Sequence, residues 1–170
     1  MRLRDVTLDD VEAYVRMRCD PAMMSELGGP VSAEEMPAKV ERDVRAVQDG
    51  SSWIKMIVPD GADGADGDAV AGTVSLWSHE EDGEIISEMG WMVLPEFQGR
   101  GLAKHAVRQL LADAREDGRW GIIHAFPGVT NGPSNGLCRS LGFKLLGERE
   151  ILFNGKPFRS NEWVIDAGAL

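Results

Sequence analysis

WMVLPEFQGRGLAKHAV, residues 91–107, sets an apolar run, a proline and two glycines directly before a helix-like stretch. From Leu102 the apolar positions are Leu102, Ala103, Ala106, Val107, Leu110, Leu111 and Ala114, with Lys104, Arg108, Asp113 and Arg115 off that stripe. This is the one-sided pattern of a helix packed on a sheet, and it places the helix start near Gly99–Gly101. A helix start exposes unpaired N–H groups at the positive end of the macrodipole, which together attract an anion. Glycines at 99 and 101 let a ligand approach the backbone without Cβ obstruction. A Walker loop would need Gly-Lys-Ser/Thr, and Lys104 stands between Ala103 and His105. The dinucleotide fingerprint would need glycine at 104 and a position after the first strand of a βαβ unit. A plain glycine turn into a helix accounts for the same residues.

The chain has 170 residues, enough for one domain spanning 1–170 with a full core. Its 18 basic and 28 acidic residues give a net charge of −10. No basic stripe is present, which argues against a nucleic-acid partner. No apolar run reaches the roughly 18 residues of a membrane helix. The opening MRLRDVTLDDVEAYV lacks the apolar core of a signal peptide, so a cytoplasmic protein is expected. Cys19 and Cys138 are far apart, as are His79, His105 and His124, and no metal site is expected.

MRLRDV reads as a first strand, followed by a helix capped by Thr7. Ser32 with Glu35 resembles a capping box opening a second helix that runs to about Val47. SSWIKMIV is a strand, PDGADGADGDA a solvated hairpin loop, AVAGTVSLW its partner strand, and HEEDGE turns into the strand IISEMGWMVL. Gly118 ends the third helix. WGIIHAF is a strand, NGPSNGLCRSLGF a short helix, and the tail is a hairpin turning at Asn154-Gly155. The expected order is strand, two helices, three strands, helix, strand, helix, two strands.

Two segments together carry a resemblance. EMGWMVLPEFQGRGLAKHAV resembles the acetyl-CoA-binding motif of the GNAT acetyltransferase superfamily, Gln/Arg-x-x-Gly-x-Gly/Ala, filled by Gln98, Gly101 and Ala103. NGPSNGLCRSLGF is similar to the second motif, through Asn131, Ser134, Leu141, Gly142 and Phe143. The opening LRDVTLDDVEAYVRMRCDPAMMSELGG resembles the branch containing ribosomal-protein N-terminal acetyltransferases. The resemblance implies an α/β fold with a mixed, mostly antiparallel central sheet, flanked by helices, whose fourth and fifth strands splay around the cofactor. It implies acetyl-CoA as cosubstrate, with the pyrophosphate on Gly99, Arg100, Gly101, Leu102, Ala103 and Lys104, and the pantetheine along Met92, Val93 and Leu94. Asn131 would bond the pantetheine arm, and Ser134 would contact the cofactor.

Acetylating an amine requires removing a proton from an ammonium of pKa about 10.4. Glu88 is the candidate base, sharing a strand face with Gly90 and Met92, while Met89, Trp91 and Val93 share the other. A structural ion pair is the alternative for Glu88; Glu80, Glu81 and Glu84 are second choices and hint at a cationic acceptor. The amide of Met92 or Val93 would polarise the thioester carbonyl. Many relatives place a tyrosine seven positions after the motif asparagine; here that position is Cys138, and the sole tyrosine is Tyr14. Ser134 is then the remaining catalytic candidate beside Glu88. Cys138 reads as a core thiol, His124 as a core histidine, and the five tryptophans as mainly strand-core residues. The acceptor, a small-molecule or peptide amine, would be framed by MMSELGGPVSAEE and FNGKPFRSN. A homodimer through sheet edges fits the pattern. The alternative function is an acyl-CoA-binding sensor or partner module without turnover.

Overall fold

The computed structural model describes all residues except 62, 65, 66, 154 and 170. Its elements follow the expected order. The strands are β1 (Arg2–Asp5), β2 (Ser52–Val58), β3 (Gly72–Glu81), β4 (Glu84–Val93), β5 (Ile122–Ala125), β6 (Lys144–Phe153) and β7 (Lys156–Asp166). The helices are α1 (Val11–Arg18), α2 (Met36–Gln48), α3 (Leu102–Asp117) and α4 (Gly132–Ser140). These strands form one sheet ordered β1-β2-β3-β4-β5-β7-β6. Every neighbouring pair is antiparallel except β4 and β5. Within the expected hairpin loop, Asp63–Gly64 pairs with Gly67–Asp68. The Asn154 half of the expected tail turn lies outside the described residues, while Gly155 takes φ 73°.

Strand alternation sorts side chains onto the two sheet faces. Met89 joins Val74, Leu76 and Ile123 against Val107, Leu110 and Leu111 of α3. Three residues on, Met92 joins Ile54 and Met56 against Tyr14 and Met17 of α1 and Val40 of α2. The β3–β4 turn is Asp82-Gly83, both at positive φ (50° and 82°), as a two-residue hairpin turn requires. It fixes Glu81 opposite Glu84 and Trp77 opposite Glu88. The capping box expected at Ser32 does not form: its Oγ accepts from the Glu34 amide, and a short 3-10 turn, Ala33–Glu35, precedes α2.

The splay has a local cause. β4 pairs with β5 only at Ser87↔Ile123 and Glu88↔His124. After Ala125 the chain stays with β7: the Asn161 amide donates to Pro127 O at 2.9 Å, and Gly128 bridges Ser160. Pro127 has no amide to offer β4. Met89–Val93 therefore run on without β5 beside them.

Asn135 of α4 pins the far side of that opening. Its Nδ2 donates to Gly128 O (2.9 Å) and Asn131 O (2.8 Å). Its Oδ1 accepts from Asn161 Nδ2 and from the indole of Trp163, both at 2.8 Å. At the opposite end, Arg4 forks onto buried Asp10 at 2.7 and 2.8 Å, and the Thr7 amide adds a 2.8 Å bond. Burial works to raise the Asp10 carboxyl, but the Arg4 and Thr7 bonds outweigh it and hold it below its ordinary value.

Asn135→Leu strands the buried Trp163 indole and leaves the Gly128 carbonyl only its bond from the Asn131 amide, and should lower stability by about 2–3 kcal/mol in urea unfolding; a loss under about 0.5 kcal/mol contradicts this. Asp10→Ala should cost about 2 kcal/mol. Because the folded carboxyl is depressed, that contribution is present above the unfolded-state value near 3.9 and vanishes as pH falls through the lower folded one. A variant difference that did not shrink on acidification would oppose it.

Candidate active site

The segment from Pro95 to Lys104 turns the end of β4 into α3. Pro95–Phe97 makes one 3-10 turn, and Gly99 and Gly101 take left-handed φ of 73° and 74°. A Cβ at either would meet nothing within 4 Å, so glycine answers here to backbone conformation and leaves open space above it. Gly101 is the N-cap and no side chain caps the helix. The first bond of α3 runs from His105 N to Gly101 O (3.0 Å), so the amides of Leu102, Ala103 and Lys104 precede the intrahelical ladder. Gln98 and Arg100 shape this turn: Gln98 Nε2 donates to Val93 O at 2.9 Å, and Arg100 donates to Glu96 O at 2.8 Å while covering the Phe97 ring.

The Leu94 amide bonds Ala71 O at 2.8 Å. By ladder alternation Met92 then turns its amide to β3, whereas Trp91 and Val93 present theirs to the opening. Of the two amides expected to meet a thioester, the one at 93 alone has that direction. Met92 and Leu94 contribute buried side chains to the α1–α2 side of the core. Across the opening, Asn131 caps α4, its Oδ1 accepting from the amide of half-buried Ser134 at 3.2 Å. Cys138 is fully buried and its thiol is pushed by burial up to about 12, so it is unsuited to act as nucleophile or acid. Tyr14 is also buried, its hydroxyl committed to Asp43 at 2.6 Å, with burial raising its pKa.

Glu88 lies where the β4–β5 ladder ends. Its carboxylate meets His79 Nε2 at 2.6 Å, and its side chain is 20% exposed. Burial pushes the carboxyl above its ordinary value, and the His79 hydrogen bond pulls partly back. Further polar groups line the same sheet face. His124 is half-buried and bonds Glu162 at 3.0 Å, which corrects its reading as a core histidine. Arg149 of β6 reaches Glu162 at 3.3 Å, Glu81 at 3.4 Å and Asp82 at 2.7 Å, tying the two halves of the sheet together. Of the second-choice carboxylates, Glu80 and Glu84 are exposed, and Glu81 is half-buried in that cluster. The partner that Glu88 finds is a histidine rather than an Arg or Lys. His79, Arg149, Glu162 and Asn135 were not recognised from sequence. Counting register back from the Asp82-Gly83 turn would have placed His79 diagonal to Glu88.

Among the described residues no helix is long and apolar enough to cross a membrane. No curated protein sequence matches the chain. Solved structures do. An acetyltransferase of the GNAT family from Bacillus anthracis superposes with TM-score 0.76 at 19% identity, covering 97% of this chain and 93% of that one. A ribosomal L7/L12 alpha-N-protein acetyltransferase in complex with coenzyme A gives TM-score 0.79 at 21% identity, covering 99% and 94%. An acetyl transferase from Salmonella typhimurium that modifies the N-terminal serine of L7/L12 gives 0.76 at 20% identity, covering 96% and 93%. At such identities the likeness bears on the fold. The family model for the acetyltransferase (GNAT) domain matches residues 1–144, and this chain belongs to that family of acetyltransferases.

Proposed function

We propose that the protein transfers the acetyl group of acetyl-CoA to a primary amine, with Glu88 as general base. The observation that carries this reading is the position of Glu88: a raised, half-buried carboxylate where β4 leaves β5, one step from amides that face the opening. The uncapped start of α3, with its two left-handed glycines and the clear space above them, fits a diphosphate held by residues 99–104. Beside it the edge of β4 offers Val93 to a pantetheine arm, with Gln98 shaping the turn and Asn131 on the opposite wall.

Acetyl-CoA supplies an activated acyl group when bound. The protein contributes the rest. Glu88 takes the proton that keeps the incoming amine an unreactive ammonium. The Val93 amide donates to the carbonyl oxygen as negative charge develops there. Ser134, in the opening turn of α4, is the hydroxyl assigned to aid the leaving thiolate, and an alkyl thiol as acidic as a cysteine, with a pKa near 8.5, leaves with little help. The likeness to ribosomal-protein acetyltransferases supports a peptide N-terminus as the first acceptor to test. The net charge of −10 favours cationic acceptors over anionic ones.

Thiol release from acetyl-CoA should be measured against small amines and hexapeptides beginning with Ser or Ala, with N-acetylated peptides as controls. Absence of turnover with every amine would favour a binding module. Glu88→Gln should lower kcat at least 100-fold while coenzyme A binding persists; activity within about threefold of wild type removes Glu88 as base. Gly101→Val forces a β-branched residue into left-handed φ at the helix start and should weaken coenzyme A binding at least tenfold. An unchanged Kd in calorimetry refutes the diphosphate site.

A further inference from the structure

The Glu88–His79 contact has a defined proton count. His79 Nδ1 lies 3.2 Å from the Glu80 carbonyl oxygen. A carbonyl oxygen only accepts, so this contact assigns a hydrogen to Nδ1. Nε2 is then the basic nitrogen of the ring, and it sits 2.6 Å from Glu88 Oε2. Two lone pairs do not meet at that distance, so one proton lies between them. The pair is therefore either an imidazolium beside a carboxylate or an imidazole beside a carboxylic acid. Only the first holds Glu88 as a carboxylate, whose Oε1 accepts a proton directly without a second transfer to Nε2.

We propose that His79 is the positioning residue of the base: its positive ring keeps Glu88 ionised in a half-buried site and directs the free oxygen, Oε1, to the acceptor amine. This inference rests on Glu88 being the base. In the proton transfer, Oε1 takes the ammonium proton while the hydrogen on Nε2 stays bonded to Oε2. The pair passes from imidazolium–carboxylate to imidazolium–carboxylic acid, and the amine becomes neutral.

The surroundings support the charged form of the ring. His79 stacks at 25° on Trp77, the cross-strand partner of Glu88. Glu81 Oε2 lies 3.9 Å from Nδ1, adding a second carboxylate on the far side of the ring. The other charged or titratable groups of this face are Asp82 at the hairpin tip, Arg149 on β6, Glu162 on β7 and His124 on β5. Arg149 is already engaged by Glu81, Asp82 and Glu162, so its charge is spent on them rather than on Glu88. His79 is the cation in contact with the base among the described residues.

His79→Gln keeps an N–H toward Glu88 but cannot carry the charge. The acidic limb of kcat/KM, for the amine or peptide that responds in the panel, should move up by about one pH unit, a tenfold loss on that limb. The KM for acetyl-CoA and the thermal melt should stay as in wild type. In parallel, 15N-histidine NMR of the full chain should show a hydrogen on both His79 ring nitrogens at the pH of the assay. An acidic limb unmoved in His79→Gln, or a wild-type His79 ring with one bare nitrogen, overturns the inference. Wild-type turnover in Glu88→Gln overturns the base itself; an inactive Glu88→Gln beside an unaltered His79→Gln overturns the role of His79 alone.

Discussion

The parting of β4 from β5 is the constraint on which the rest of the molecule depends. Two residue pairs hold the strands together, and then the chain after β5 keeps to β7 through Pro127 and Gly128. A β4–β5 pairing that continued past Glu88 would have closed the ladder and left no edge inside the sheet. A parallel pair that ends early leaves the backbone of Met89–Val93 one-sided within a protein interior, where unpaired polar groups are costly. Part of that deficit is met from the chain itself, since Gln98 bonds Val93 O. The remaining donors are available to a ligand of extended shape. Asn135 keeps the opposite wall in place by filling all its hydrogen-bonding capacity with groups of that wall.

Chemistry is divided between the two sheet faces. On the α3 face the packing is apolar and the helix delivers its positive end to one mouth of the opening. The other face is apolar beneath α1 and α2 but polar around Glu88, where Arg149 draws the β3–β4 hairpin toward β6. The glycine turn that opens α3 and the Glu88 carboxylate are therefore both carried by one strand, β4. In the proposed function, that separation is what would let one extended molecule present its charged end to α3 and its reactive end to Glu88.

Much of this was legible in the sequence because it is local. The α3 stripe, the glycine turn and the Asp82-Gly83 hairpin depend on residues within a few positions of one another, and the order of elements followed. What escaped depends on pairing. Strand alternation predicted that Met92 and Val93 point to opposite faces, but which amide faces the opening follows from Leu94 bonding Ala71, twenty-three positions away. His79 and His124 looked like scattered histidines until register set each beside a carboxylate. Asn135 sat in plain view within a recognised motif, yet its four partners come from the preceding loop and from β7. The Ser32 box failed because a 3-10 turn intervenes, a backbone choice that composition does not encode.

The direct test of the account is a backbone amide NMR titration of the purified chain with coenzyme A. Saturable shifts centred on residues 99–104, together with Trp91 and Val93 and without Met92, are the predicted outcome. Coenzyme A that leaves those amides unmoved, or moves a different surface, would contradict the account.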